Sequence, residues 1–298
     1  MEQVSIYLMP PKRKPTEGEE SQIHADIEVC YPHMSSNKQS STEKTSKKSV
    51  KDASDDPDSI VYTIEDAPDK IKSKASYLFK DIPEEIRDKM KVDSVSLYSL
   101  TQSKIAREMA DILEGYTGSN ATVVDATACA GGNTIWFAKK FKRVEAIEIS
   151  AQRVDILKHN IDINDLSHKV HVHHGDYLEL YEQVKGDIVF FDPPWGGPEY
   201  MNLDSVPLEL GDPAMSIGLI CTRVFNTREP PRYIAIKAPV NFNEDGFNID
   251  IQGEATIVKR HDLWKMRLYI VQATSANRKR SRDGGSAAST DDSKHQRV

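Results

Sequence analysis

Short apolar runs alternate with amphipathic segments along the middle of the chain. Five runs have the length and β-branched content of strands, at 121–125, 143–148, 170–174, 187–191 and 231–238. Two later runs, 255–259 and 266–273, have the spacing of an antiparallel hairpin. Because strands that alternate with helices form parallel sheets covered on both faces, the pattern predicts an α/β fold around a mainly parallel seven-stranded sheet.

Helical segments separate these strands, and capping preferences predict where several of them begin. A short helix is expected near 82–86, where proline stands early, and Thr101 is expected to cap the next one. Ser150 is expected to cap a helix that ends at Ile163, and Asp212 the helix before the fifth strand.

The two ends of the chain differ in composition from its middle. Residues 1–66 and 276–298 are rich in charged and small polar residues and poor in aromatics, so they cannot bury enough apolar area to offset the entropy of ordering. We therefore predict four parts. They are a disordered N-terminal arm (1–66), a helical extension or lid (67–115), a globular domain (116–275) and a disordered basic tail (276–298).

Charge and cysteine content narrow the class of protein. The net charge of −7 is low for a nucleic-acid binder, but acidic residues crowd 17–20 and 52–58, outside the predicted domain. Cys30, Cys129 and Cys221 lie far apart, which argues against a disulfide framework and a thiolate metal site. No apolar run has signal-peptide or membrane-spanning length, so we expect a soluble, intracellular protein. We also expect a monomer without metal.

The carboxyl ends of the first three strands carry a candidate cofactor site. Asp125 ends the first strand, and the small residues at 128–134 let the backbone approach a ligand closely. Glu148 could accept both ribose hydroxyls, and Asp176 with Tyr177 could meet an adenine amine and ring. The G-x-G-x-x-G pattern of a pyrophosphate cradle is absent. The order therefore favours S-adenosylmethionine, an adenosine cofactor without phosphates.

The loop after the fourth strand carries a candidate target site. Pro193 and Pro194 remove two N–H donors, so carbonyls and the Asp192 carboxylate form an acceptor edge. An exocyclic amine bonded to that edge is oriented for methyl transfer, and Asp192 can receive its proton. Trp195 offers a stacking face worth about 1–3 kcal/mol per base. Two glycines after Trp195 suggest an open ring, and the loop predicts methylation of a nucleobase amine.

These motifs resemble those of the trimethylguanosine synthases, the RNA cap guanosine-N2 methyltransferases. The resemblance rests on P-P-W-G-G-P-E-Y at 193–200, on 131–134, on Glu148 and on 175–177, and it covers about 77–274. It implies a class I (Rossmann-like) S-adenosylmethionine-dependent methyltransferase fold with a small N-terminal helical extension. Residues 98–106 are similar to the family's lid, whose threonine approaches the cofactor.

The resemblance implies methylation of the N2 amine of a 7-methylguanosine RNA cap, giving 2,7-dimethyl- and/or 2,2,7-trimethylguanosine. The implied partner is m7G-capped RNA, of small nuclear, small nucleolar or other type. We expect a location in the nucleus, with the cytoplasm as a second site, from basic runs in the terminal arms. The implied residues are catalytic Asp192, Pro193 and Trp195; cofactor-binding Thr101, Asp125, Ala128, Gly131, Gly132, Asn133, Thr134, Glu148, Asp176, Tyr177 and Asp192; and substrate-binding Tyr98, Pro194, Trp195, Lys237 and Asn241.

The chain departs from the family pattern at three places. Asp192 stands where the family often has serine, and it also resembles amino-methyltransferases that act on adenine. Cys129 stands where glycine is usual. Pro-Val-Asn at 239–241 replaces Pro-Arg-Asn, whose arginine contacts cap phosphate, so that Lys237 or a lysine within 70–74 would have to substitute.

Two other functions remain open. One is methylation of adenine N6 or an internal guanine N2 in RNA or DNA, which needs the same acceptor edge but no cationic base. The other is a cap-binding adaptor without catalysis.

Several other residues have ordinary structural interpretations. His171 and His173 share a strand face, but without an acidic partner close in sequence they are not expected to bind metal. Trp136, Trp264 and Tyr269 are expected to lie in the core. Short basic runs in both terminal arms, at 12–14 and 278–280, resemble nuclear-import signals, and RNA tethering is their other use.

Overall fold

A computed structural model describes residues 60–277 as eleven strands, nine α-helices and two 3₁₀ turns. The strands are β1 Tyr62–Thr63, β2 Lys91–Val92, β3 Thr122–Asp125, β4 Arg143–Glu148, β5 Val170–His174, β6 Ile188–Phe191, β7 Glu209–Leu210, β8 Met215–Ser216, β9 Tyr233–Pro239, β10 Ala255–Leu263 and β11 Met266–Ala273. The helices are α1 Asp69–Leu78, α2 Glu84–Arg87, α3 Ser96–Ser99, α4 Ser103–Thr117, α5 Thr134–Lys140, α6 Ala151–Ile163, α7 Tyr177–Leu180, α8 Ile217–Phe225 and α9 Glu244–Asp250. The 3₁₀ turns are Ile64–Asp66 and Pro198–Asn202.

Seven of the strands form one sheet in the order β10-β11-β9-β6-β3-β4-β5. β9, β6, β3, β4 and β5 are parallel, and β11 is antiparallel to both β9 and β10. This order and the reversed penultimate strand in the sheet are those of the class I methyltransferase fold, which confirms the fold predicted from the sequence. The strand order reverses between β3 and β6, and ligands of open α/β sheets bind at such a switch point.

Successive residues of the central strands pack into two separate cores. Val123 and Phe190 face the core formed with α4, α5 and α6, while Val124 and Phe191 face the core formed with α8 and α9. All four side chains are fully buried, and the two phenylalanines alone contribute about 1.5–3 kcal/mol each. The sheet is therefore covered on both faces, as the near-continuous apolar strands predict.

Several helix starts differ from those expected. Ser150 does cap α6, since its side chain accepts a hydrogen bond from the Arg153 amide. α4 begins at Ser103 without a side-chain cap, so Thr101 does not cap it. α8 is capped by Ser216 and not by Asp212, because the hairpin of β7 and β8 intervenes.

The folded part also begins before residue 67. Tyr62–Thr63 pairs with Lys91–Val92, and the Ile64 side chain behind it is fully buried in the first core. The predicted arm therefore ends earlier than residue 66. The rest of that arm up to residue 59, the tail from 278 and both basic runs lie outside the described residues. Within 60–277, no helix combines the length and apolar character needed to cross a bilayer.

Candidate active site

Polar side chains from four neighbouring parallel strands meet at the carboxyl edge of the sheet. Asp125 and Glu148 end β3 and β4, Asp192 directly follows β6, and Lys237 lies in β9 beside it. The switch point between β3 and β6 separates two groups of residues, and we call the region between these groups the cleft. We call Asp125, Asn133 and Glu148 with their loops the β3–β4 side, and Asp192, Trp195 and Lys237 the β6–β9 side.

One oxygen of Asp192 receives three hydrogen bonds. Oδ2 accepts from Lys237 Nζ at 2.7 Å, from Asn133 Nδ2 at 3.1 Å and from Thr101 Oγ1 at 3.2 Å. The Asp192 amide donates to Thr127 Oγ1 at 2.9 Å, which holds the start of the loop against β3. No described residue donates to Oδ1, which is also not among the buried atoms that lack a partner. Asp192 therefore presents one open acceptor oxygen.

Lys237 is buried beneath the loop. Its side chain is 6% exposed, and Nζ donates to Thr101 Oγ1 at 2.9 Å as well as to Asp192. These hydrogen bonds use two of the three donors of the ammonium and hold it beneath the loop, a position that does not favour the expected contact with cap phosphate. Of the other lysines considered, Lys74 is buried with Nζ 3.9 Å from the centroid of the half-exposed Tyr98 ring, and Lys72 donates to a backbone carbonyl.

Trp195 is half-buried and less open than the neighbouring glycines suggest. Its ring packs against the second core and meets the Tyr200 ring edge-on, with centroids 5.1 Å apart. Lys237 Nζ lies 5.0 Å from the Trp195 centroid, within the range of a cation–π contact. The indole Nε1 is buried with no hydrogen-bond partner among the described residues. Asn241 braces this loop by donating to the Tyr200 and Leu203 carbonyls, so its amide nitrogen is already occupied.

The prolines of the loop differ in exposure. Pro193 is buried and Pro194 is exposed. Between Asp192 and Trp195, the backbone carbonyls of these two residues supply acceptors without competing amide donors.

On the β3–β4 side, Asp125 is fully buried. Thr134 Oγ1 donates to Asp125 Oδ2 at 2.6 Å, while Oδ1 has no partner among the described residues. Burial raises the pKa of Asp125 to about 7, and the neighbouring Asp192 carboxylate adds to the shift. Asn133 Oδ1 is a second buried acceptor without a donor. Buried acceptors without a protein donor are usually satisfied by a ligand or by water.

Glu148 is held by its neighbours on both oxygens. Oε2 accepts from the Cys129 amide at 2.9 Å, and Oε1 accepts from the Ser150 amide at 2.9 Å and from Arg153 Nε at 3.1 Å. Arg153 also lies 3.8 Å from the fully buried Asp93 carboxylate. A carboxylate has about four lone-pair sites, so Glu148 keeps capacity for a further hydroxyl donor. The sequence had not indicated Arg153 or Asp93, because neither forms a local motif with Glu148.

Two glycines allow the loop after β3 to pass between other elements. Gly131 has φ +95°, and a Cβ there would lie 2.9 Å from Leu157. A Cβ on Gly132 would lie 2.7 Å from Leu100 and 3.3 Å from the Thr101 amide nitrogen. Gly132 therefore lets the segment before α4 rest directly on this loop, which is how Thr101 reaches Asp192. Cys129 has φ +49°, a left-handed conformation that favours glycine.

Two residues of the expected adenine contact have structural contacts of their own. Asp176 caps α7 through a 2.8 Å hydrogen bond from the Leu178 amide. Tyr177 is buried in the second core, with its ring 5.1 Å from that of Phe191. Ala128 is buried, and its amide donates to the Ile147 carbonyl. The structure thus places the Tyr177 side chain in the second core.

The residues given structural interpretations fall into two groups. Trp136 and Tyr269 are buried as expected, whereas Trp264 is half-exposed at the β10–β11 turn.

His173 Nε2 lies 2.7 Å from Glu145 Oε2 and His171 Nδ1 lies 3.5 Å from it, so the histidines do have an acidic partner. Glu145 stands on the adjacent strand, a neighbour that sequence spacing could not reveal. Arg143 also forms a salt bridge with Glu145, so the negative charge of that carboxylate has a positive partner.

Comparison with known proteins finds a family that is similar to the segment carrying these residues. Residues 120–226 match the family model described as RNA cap guanine-N2 methyltransferase. The match includes both the Asp125–Thr134 loop and the Asp192–Trp195 loop, so the similarity extends to the residues of the candidate site.

Curated relatives include two trimethylguanosine synthases. Uncharacterized protein L320 of Acanthamoeba polyphaga mimivirus is 26% identical over 227 residues, 68% of this chain and 86% of that protein. Trimethylguanosine synthase of Schizosaccharomyces pombe is 35% identical over 115 residues, and that of Saccharomyces cerevisiae 30% over 131. These matches span 37% and 40% of this chain and only 47% and 42% of the two synthases. The family match and these two relatives support the expectation of an S-adenosylmethionine-dependent guanosine-N2 methyltransferase.

Proposed function

We propose that the chain methylates the N2 amine of the 7-methylguanosine cap of RNA, giving 2,7-dimethyl- and/or 2,2,7-trimethylguanosine. The observation that carries this proposal is the meeting of an open carboxylate oxygen, Asp192 Oδ1, with the Trp195 ring in one loop at the switch point. The similarity to two trimethylguanosine synthases supports the cap as the source of the guanine.

The β3–β4 side fits S-adenosylmethionine. The unpaired oxygens of Asp125 and Asn133 are suited to an ammonium group, and Glu148 to a ribose hydroxyl. Asp125, Ala128, Gly131, Gly132, Asn133, Thr134 and Glu148 would hold the cofactor, with Thr101 and Asp176 at its border. When bound, this cofactor supplies a methyl group on a positively charged sulfur.

The β6–β9 side orients the acceptor amine. Asp192 Oδ1 and the Pro193 carbonyl accept the two N–H groups, which directs the nitrogen lone pair towards the incoming methyl. Asp192 would also receive the proton that the amine gives up on methylation. Trp195 would fix the plane of the base, Pro194 lies in the same loop, and Asn241 braces it through the Tyr200 carbonyl. Tyr98, half-exposed before α4, stays a proposed substrate contact.

A second function is favoured by one observation. Lys237 already places a positive charge 5.0 Å from the Trp195 centroid, and this position suits a neutral base better than a cationic one. Methylation of adenine N6 or of an internal guanine N2 in uncapped RNA or DNA uses the same acceptor edge without a cationic base.

The deciding experiment is methyl transfer from labelled S-adenosylmethionine to m7GpppA, GpppA and an uncapped RNA, with mass analysis of the products. Transfer to m7GpppA alone supports the cap proposal and counts the methyl groups. Equal transfer to GpppA, or transfer to uncapped RNA, contradicts it in favour of the second function. Binding of m7GpppA without binding of S-adenosylmethionine would indicate a cap-binding adaptor.

We also propose that the protein is a monomer, that it acts on m7G-capped RNA and that it is located in the nucleus. Fluorescence imaging of the full chain, with and without residues 278–280, tests the location.

A further inference from the structure

Lys237 occupies a position that the sequence motifs do not explain. It lies on β9, next to the strand that ends at the target loop, and its ammonium joins that loop to the segment before α4. Asp192 and Lys237 side chains are 10% and 6% exposed, so the pair is nearly withdrawn from water. A buried carboxylate without a counter-charge is costly and tends to take up a proton.

We infer that Lys237 is a positioning residue that holds Asp192 by Oδ2 and thereby presents Oδ1 as an ionised acceptor to the substrate amine. The inference rests on the proposed function in treating Asp192 as the amine acceptor.

Three contacts support this role over a phosphate contact. Lys237 Nζ bonds Asp192 Oδ2 at 2.7 Å and Thr101 Oγ1 at 2.9 Å, and Thr101 itself donates to the same oxygen at 3.2 Å. The result is a closed triangle of hydrogen bonds below the loop. Asn133 donates to the same oxygen from the other side, which leaves the Asp192 carboxylate little freedom to rotate. Oδ1 therefore points away from the triangle.

The pair also explains one departure from the family pattern. Serine, which the family often has before P-P-W, is neutral and needs no counter-charge. Asp192 brings a negative charge into a nearly buried position, and Lys237 neutralises it there. Because Asp192 offsets the charge of Lys237, the pair reduces the repulsion that a cationic base on the Trp195 ring would meet from the lysine alone.

The test is a double-mutant cycle of Lys237→Met, Asp192→Asn and both together, with Lys237→Arg as the conservative variant. Each protein is assayed with m7GpppA and with 7-methylguanosine monophosphate. We expect Lys237→Met to lower kcat about 10- to 100-fold, by the same factor on both substrates, with KM little changed. The double variant should match Asp192→Asn alone, and Lys237→Arg should recover most of the lost rate.

Two results would overturn the inference. If the losses of Lys237→Met and Asp192→Asn multiply, Lys237 does not act through Asp192. If Lys237→Met mainly raises KM, and only for the substrate with three phosphates, the lysine is a phosphate ligand. Lys169→Met removes another partly buried lysine, whose Nζ bonds the Ala138 carbonyl outside the cleft, and it should retain wild-type kinetics.

Failure of the cap proposal is distinguished from failure of this inference. If wild type methylates uncapped nucleic acid and not the cap, the same cycle is run on that substrate with the same expectation. If no substrate is methylated, thermal melting decides. Lys237→Met should lower Tm by roughly 5 °C or more by leaving a buried charge unpaired, and adding Asp192→Asn should restore part of it. Simple addition of the two Tm changes contradicts the pairing.

Discussion

The two sides of the cleft solve the problem of a buried carboxylate differently. On the β3–β4 side, both oxygens of Glu148 accept hydrogen bonds from the protein. Asp125 has one oxygen without a donor among the described residues, and burial raises its pKa. On the β6–β9 side, Asp192 has a buried lysine as its counter-charge and keeps one oxygen open. The first side is built to be completed by a ligand with donors, and the second to present an acceptor whether or not a ligand is there.

The largest expected effect is that of Glu148→Ala. It removes the carboxylate that pairs with the buried Arg153 at 3.1 Å, so we expect a loss of about 3 kcal/mol or more in the free energy of unfolding. Cofactor binding should become undetectable by calorimetry. Glu145→Gln, a buried acid on the same strand but outside the cleft, serves as the control. Retained cofactor affinity in Glu148→Ala would contradict the role given to the β3–β4 side.

Trp195→Ala should impair substrate use on the β6–β9 side and leave cofactor binding on the β3–β4 side unchanged. Loss of a stacking face costs about 1–3 kcal/mol, so kcat/KM for m7GpppA should fall roughly 5- to 150-fold. The affinity for S-adenosylhomocysteine should stay unchanged, since Trp195 belongs to the β6–β9 side. Trp264→Ala removes an indole that also has a lysine over its ring but lies at the β10–β11 turn, and its kinetics should equal wild type. A parallel loss of S-adenosylhomocysteine affinity in Trp195→Ala would erase the distinction between the sides.

Asp125 should give the β3–β4 side a pH dependence. Its folded-state pKa of about 7 lies above the unfolded value of 3.8, so the folded protein holds this proton more tightly. The cost of ionising the carboxyl group therefore lowers stability as pH rises from about 4 to 7, and levels off above. Melting of the cofactor-free protein across this range should show the decline, and Asp125→Asn should abolish it. In Asp111→Asn, which changes an exposed acid on α4, the decline should persist.

The smallest effect is expected for Cys129→Gly. Glycine relieves the positive φ of +49° but gains freedom in the unfolded chain, so the two changes in stability nearly cancel. The Cys129 amide that bonds Glu148 is kept, and burial raises the pKa of the Cys129 thiol, so no thiolate chemistry is lost. Methyl transfer should stay within about twofold of wild type. A large gain in rate would mean that Cys129 impairs the β3–β4 side.

The sheet was predictable because its signals are local. Arg143–Glu148 and Val170–His174 have the bounds expected from their apolar runs, and Ser150 caps α6 as its position indicates. The helix Glu244–Asp250 was missed, since its polar residues and central glycine give little helical signal.

The contacts within the site were less predictable because they join distant parts of the chain. Threonine is a common helix-capping residue, but the Thr101 hydroxyl donates its hydrogen bond to Asp192, which is 91 residues away in the sequence. Lys237 and Glu145 find their partners across neighbouring strands, and only the strand order reveals such pairs. The sequence indicated which loops carry the candidate site, but it could not show that the Lys237 and Tyr177 side chains are both buried.

The single open oxygen of Asp192 has a consequence for how many methyl groups one amine can receive. An amine that already carries one methyl still has one N–H to donate, and Asp192 Oδ1 is sufficient to accept it. Hydrogen-bonding capacity therefore does not distinguish a first round of transfer from a second. Under the proposed function, the product is decided by the room around the nitrogen for the first methyl group, which makes the degree of methylation a property of cavity shape.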